Sequence, residues 1–222
     1  MAVNYPQKVI INEVGPRDGL QNEDQTITLE DKITLVNLLV KSGLKSIEVG
    51  SFVSPKWVPQ MADSLELIHA LKLHNDNDVT LSALVPNLKG LASAVKSKIP
   101  RIAIFASASE TFSKKNINCS IEESLDRFTE VVLEAQQHNL QIRGYVSCAF
   151  GCPYEGEINI KNVVSVSEKL LQLGCYEVAI SDTNGVGTPE QTKLIIEKLS
   201  ESLPIERIAM HMHDTRGRAI EN

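Results

Sequence analysis

Seven short runs rich in β-branched and apolar residues, the first six each followed by a stretch of helical periodicity, restrict this chain's fold more than any other feature. The runs lie at 9–14, 46–50, 80–85, 101–107, 142–148, 177–182 and 207–213, lengths that suit strands buried under crossover helices. The intervening helices have readable starts. Thr28 precedes Asp31 and Ser120 precedes Glu123 at capping-box spacing, and Thr188 is followed by Pro189 and, at the third helical position, by Gln191. Gly43 and Gly174 stand where helix ends favour a left-handed residue. Six βα units and a seventh strand suit either an open doubly wound sheet or a barrel. The first strand runs into EVGPRDGLQNE, with no GxGxxG turn, and polar residues recur at the C-terminal ends of successive strands, where barrels build active sites. The expected fold is therefore α/β: an incomplete (β/α)8 TIM barrel of about seven strands and six helices, forming one domain over residues 1–222.

Composition narrows the function. The chain has 222 residues and a formal net charge of -6, with neither sign gathered into a long block, so nucleic acid is not an expected partner. No apolar run reaches the roughly 20 residues that span a bilayer. The opening MAVNYPQK lacks a secretory or Arg-rich targeting pattern, so no membrane association and a cytoplasmic location are expected. Cys119, Cys148, Cys152 and Cys175 form no CxxC pair and read as reduced thiols.

The polar residues at strand ends carry the chemistry. Arg17 and Asp18 close the first strand, Glu48 lies in the second, Asp182 ends the sixth, and His211 and His213 share one face of the seventh. Alone, a His-x-His pair reads first as two hydrogen-bonded histidines. With a carboxylate from a nearby strand, and Asp18 is the natural one, it becomes a candidate metal site. Two imidazoles and an oxygen donor suit Mg²⁺, Mn²⁺ or Co²⁺ better than structural zinc. Arg17 reads either as a salt-bridge partner of Asp18 or Glu48, or as a permanent cation facing a developing enolate oxygen. Gly15, Gly19, Gly185 and Gly187 read as turn-shaping residues.

The stretches NEVGPRDGLQNE, IEVGSFVSPKWVPQMAD, FSKKNINCSIEES, RGYVSCAFGCPYEG, SDTNGVGTPE and HMHDT together resemble the 3-hydroxy-3-methylglutaryl-CoA lyases, within the metal-dependent lyase and Claisen-synthase barrel superfamily. The resemblance covers essentially the whole chain. It implies that Asp18, His211 and His213 bind a divalent cation, Mg²⁺ or Mn²⁺, and that Arg17 stabilises the enolate of the departing acetyl-CoA. Glu48 and Asp182 match functional acidic positions, while Gln21 and Ser51 match polar ones near the substrate. The implied reaction is a retro-Claisen cleavage of 3-hydroxy-3-methylglutaryl-CoA to acetyl-CoA and acetoacetate, a step of leucine degradation and ketone-body formation. The implied partner is the acyl-CoA substrate, and the implied assembly a homodimer.

There are departures from the family pattern. Ala179 stands where the family commonly has serine, and Arg216 where a tyrosine commonly follows HxHDT. Beyond HMHDT the family continues through a helix, an eighth strand, a glycine-rich loop with a reactive cysteine and a metal-binding asparagine. The GCPYEG after the fifth strand is not that loop. The expectation is thus a C-terminally truncated lyase with weak or no turnover of its own. The alternatives are an inactive remnant that binds acyl-CoA or a partner barrel, and a related Claisen-type synthase.

Overall fold

The computed structural model describes residues 5–71 and 78–222, which leaves the first four residues of MAVNYPQK outside. The chain divides into two compact units, one formed by Lys8–Ala103 and Leu133–Gln141, the other chiefly by Ile104–Val132 and Ile142–Asn222.

In the first unit, β1 (Asn12–Glu13) leads into a π-helical turn, Gly15–Gly19. Then come α1 (Leu29–Lys41), β2 (Ser46–Ser51), α2 (Ser64–Leu71), β3 (Thr80–Leu84), α3 (Leu88–Ser97) and the start of β4 (Arg101–Ser107). All pairings are parallel: Asn12 with Ser46, Ser46 with Thr80, and Ser82 with Arg101. The ladder between β2 and β3 shifts register between Glu48 and Gly50. Such a bulge re-aims side chains at a strand end. Ile47, Leu67, Ile68, Leu81, Leu91 and Ile102 are buried and form the core.

In the second unit, β4 is followed by α4 (Glu110–Ile117) and α5 (Ile121–Gln137), whose end belongs to the first unit. Next come β5 (Gln141–Ser147), α6 (Ile160–Leu173), β6 (Glu177–Asp182), α7 (Pro189–Ser200) and β7 (Ile208–Met212). Arg143 pairs with Glu177 and Ser181 with His211, both in parallel. At Gly144 an added Cβ would lie 3.1 Å from Leu170 Cδ1 and 3.3 Å from Cys175 Sγ, so the missing side chain lets α6 settle on β5.

Strand order chooses between the two sheet types. Hydrogen-bonded neighbours follow chain order throughout, β1-β2-β3-β4 in the first unit and β4-β5-β6-β7 in the second. A doubly wound sheet reverses order at a switch point. Here no reversal occurs, and the fold is that of a (β/α)8 barrel, with seven of its strands among the described residues.

The expected helix caps form. Thr28 accepts from Asp31 N, Ser120 Oγ accepts from Glu123 N while Glu123 accepts from Ser120 N, and Thr188 and Gln191 make a full capping box. Gly43 and Gly174 take φ values of 100° and 120°. Two expectations need correction. Only Asn12–Glu13 of the run 9–14 pairs as a strand, because the chain turns at Gly15–Gly19, and Val9, Ile10 and Ile11 are left exposed. Among the described residues there are seven α-helices rather than six: Ser109 caps α4 by accepting from Phe112 N, and Asn118 ends it in a left-handed conformation.

Candidate active site

The sequence Gly-Pro-Arg-Asp-Gly suits the π-helical turn because Pro16 presets φ at the second position and its missing N–H leaves no buried donor orphaned. Arg17 N and Asp18 N donate to Val14 O at 3.0 and 2.7 Å. The turn delivers the Arg17 guanidinium into a buried position, where Nε donates to Glu48 Oε1 at 2.5 Å and an Nη donates to Asp18 Oδ1 at 2.6 Å. Glu48 itself is fully buried on β2. The salt-bridge reading of Arg17 holds for both acids, and those bridges fix its cation in place.

Gln21 and Ser51 lie in the same unit as Arg17. Gln21 Oε1 and Ser51 Oγ are buried polar atoms without a hydrogen-bond partner among the described residues. Ser51 lines a cavity of about 290 Å³ with Phe52, Ser54, Asn87 and Lys89.

In the second unit His211 lies on β7 and His213 one residue past its end. Their Nε2 atoms are 3.2 Å apart, and His213 Nδ1 lies 3.0 Å from both Asp182 O and Thr183 O. Carbonyl oxygens only accept, so Nδ1 carries the proton. His213 Nε2 is then a lone-pair donor facing a second imidazole nitrogen, a distance at which the two share a proton or a cation. A ring N–H held by a backbone carbonyl is the arrangement that orients a metal-binding histidine. The residues thus fit a cation.

Asp182 is buried, and its carboxylate accepts from Val186 N at 2.9 Å and Gly187 N at 2.8 Å. This folds the loop after β6 over the strand end. At Gly187 a Cβ would meet Phe150 Cδ1 at 2.8 Å, and Gly185 has φ +65° with Thr215 in the space a side chain would need. Both glycines are required by the turn, as expected from the sequence. The residues missed by sequence reading are Thr183, whose carbonyl orients His213, and Tyr145, whose ring meets His211 edge-on at 5.9 Å. No sequence motif marks either contact.

The four cysteines are free and buried. Burial pushes the Cys148 and Cys175 thiols up to about 12. Burial also acts on Cys152, but hydrogen bonds from Ser109 and the backbone at Tyr154 and Glu155 outweigh it and hold that thiol below its ordinary value.

Residues 8–222 match the family model described as HMGL-like. The chain is 52% identical over 220 residues to a 3-hydroxy-3-isohexenylglutaryl-CoA/hydroxy-methylglutaryl-CoA lyase of Pseudomonas aeruginosa, covering 99% of this chain and 73% of the relative. The chain belongs to the hydroxymethylglutaryl-CoA lyase family. Its likeness to the cytoplasmic 3-hydroxy-3-methylglutaryl-CoA lyase of Rattus norvegicus is 51% over 98% of the chain, which spans 63% of that relative. Among solved structures, the hydroxymethylglutaryl-CoA lyase from P. aeruginosa superposes with a TM-score of 0.93 at 52% identity, covering 97% of this chain and 71% of that one. Hydroxymethylglutaryl-CoA lyases are carbon–carbon lyases that use a divalent metal. Asp18, His211 and His213 are half-buried, and each offers one ligand atom.

Proposed function

We propose that the chain cleaves 3-hydroxy-3-methylglutaryl-CoA to acetoacetate and acetyl-CoA by a metal-dependent retro-Claisen reaction. Asp18, His211 and His213 are the metal ligands, and Arg17 is the cation that meets the developing enolate. Likeness to named lyases over nearly the whole chain supports the reaction. The observation that carries the metal reading is the placement of the His213 ring, with Nδ1 against two carbonyls and Nε2 turned to His211.

A divalent metal, Mg²⁺ or Mn²⁺, would be held by Asp18, His211 and His213 and would supply Lewis acidity to the substrate's oxygens. A base takes the hydroxyl proton, and the adjacent carbon–carbon bond breaks as its electron pair moves into the thioester enolate. The hydroxyl oxygen becomes the ketone of acetoacetate, and the enolate takes a proton to give acetyl-CoA. Arg17 serves this step because a guanidinium stays charged and, gripped by Glu48 and Asp18, needs no reorganisation as negative charge appears. Glu48 and Asp182, expected from the sequence as catalytic acids, act here by position: Glu48 holds Arg17, and Asp182 holds the loop whose carbonyls orient His213. Gln21 and Ser51 supply polar atoms on the substrate side.

Residues 1–222 read as one barrel domain, supported by the family match over 8–222 and the unbroken strand order. No helix of the described residues is long and apolar enough to cross a membrane. A cytoplasmic location agrees with the name of the rat relative, although other relatives of similar identity are mitochondrial. A homodimer and a place in leucine degradation complete the proposal. Product analysis tests it: incubation with the acyl-CoA should yield acetoacetate and acetyl-CoA in equal amounts. Condensation of acetyl-CoA with a 2-oxo acid, without cleavage, would instead make the chain a synthase.

A further inference from the structure

We propose that Tyr145 is a positioning residue for His211, braced by Arg143 and Glu177 in a line that runs along one face of the second unit's strands. The inference rests on the reading of His211 as a metal ligand. Tyr145 lies on β5 and His211 on β7, so β6 separates them, and strands two apart are roughly 9–10 Å from each other. Yet the two rings meet at 5.9 Å between centroids with an interplanar angle of 86°. The two rings therefore close the gap over β6 between them. The pairing partner of Tyr145 on β6 is Ala179, which pairs in turn with Ala209. Two methyl groups leave the lane open. The departure from the family's serine at 179 adds no bulk to it.

The other side of the Tyr145 ring is held as well. Arg143 Cζ lies 5.4 Å from its centroid, and an Nη of Arg143 contacts Glu177 Oε1 at 3.1 Å. Arg143 and Tyr145 are both buried, so the cation–π contact is desolvated and stronger than a surface one. The line continues from His211 to His213, whose far nitrogen is pinned by Asp182 O and Thr183 O. Each imidazole thus has a separate restraint: backbone carbonyls fix the His213 ring, and the Tyr145 ring blocks rotation of His211 about its side-chain torsions. An edge-to-face contact needs only the ring, so phenylalanine should substitute and leucine should not.

Two readouts test this in the 222-residue chain, Mn²⁺ affinity by electron paramagnetic resonance and the His211 ring-proton shift in metal-free protein. Tyr145→Leu should weaken Mn²⁺ binding by about 10-fold, the size typical of losing a residue that orients a ligand, and should move the His211 signal. Tyr145→Phe should leave both close to the parent. Parent-like Mn²⁺ affinity in Tyr145→Leu would overturn the brace, whether or not the ring signal moved, provided the parent binds Mn²⁺ and His213→Ala does not. A parent chain that binds no Mn²⁺ would overturn the metal reading and this inference together.

Discussion

Arg17 bridges two carboxylates, its chain neighbour Asp18 and the distant Glu48. Glu48 is fully buried and receives the Arg17 Nε at 2.5 Å. With Glu48 removed, Arg17 keeps Asp18 as a partner, so the loss is that of one buried charge-assisted hydrogen bond, about 1.5–3 kcal/mol. Glu48→Ala should lower unfolding free energy by that amount in urea titrations; a change below about 1 kcal/mol would mean that water reaches the pair, as at exposed sites. The cysteines differ in a way that labelling can read. At pH 8, iodoacetamide should modify Cys152 before Cys148 or Cys175, because hydrogen bonds to Cys152 favour its thiolate while burial keeps the other two protonated. Lowering the pH should slow Cys152 labelling. Mass spectrometry of the three peptides would show the order, and Cys175 reacting first would contradict it. The shared face of His211 and His213 was legible in the sequence because strand side chains alternate, and the salt-bridge reading of Arg17 was legible because Asp18 is its chain neighbour. The loop-holding role of Asp182 was not legible, since its acceptors' partners are backbone N–H groups that no residue type announces.

The elements were legible where a local signal fixes an end. Thr188, Pro189 and Gln191 announce the start of α7, and the capping box forms. Thr188→Ala removes the acceptor for Gln191 N and should cost about 1 kcal/mol, seen as a lower urea midpoint with unchanged slope. No shift in midpoint would show that another group takes over the freed N–H. The run 9–14 has strand composition throughout, but pairing also depends on the partner strand and on the turn that follows. The turn at Gly15–Gly19 takes the chain off the ladder after Glu13. The Tyr145 contact with His211 was hidden for a related reason: it crosses an intervening strand, and periodicity within one strand carries no information about a residue two strands away.

At the scale of the molecule, composition and periodicity left the barrel and the open sheet undecided except for the missing GxGxxG and the polar strand ends. The uninterrupted strand order settles the choice. That order matters for chemistry, because barrel enzymes build their sites at C-terminal strand ends, and in the second unit Asp182 ends β6 while His211 and His213 lie at the end of β7 and just past it. The proposed activity is metal-dependent cleavage. Its most direct test is acetoacetate release from 3-hydroxy-3-methylglutaryl-CoA by the purified chain, measured with Mn²⁺, after chelator, and in His213→Ala. Release that needs Mn²⁺ and falls at least about 100-fold in the variant, as expected when a Lewis acid is lost, is the predicted result. Release that survives the chelator, or persists undiminished in His213→Ala, would contradict the account.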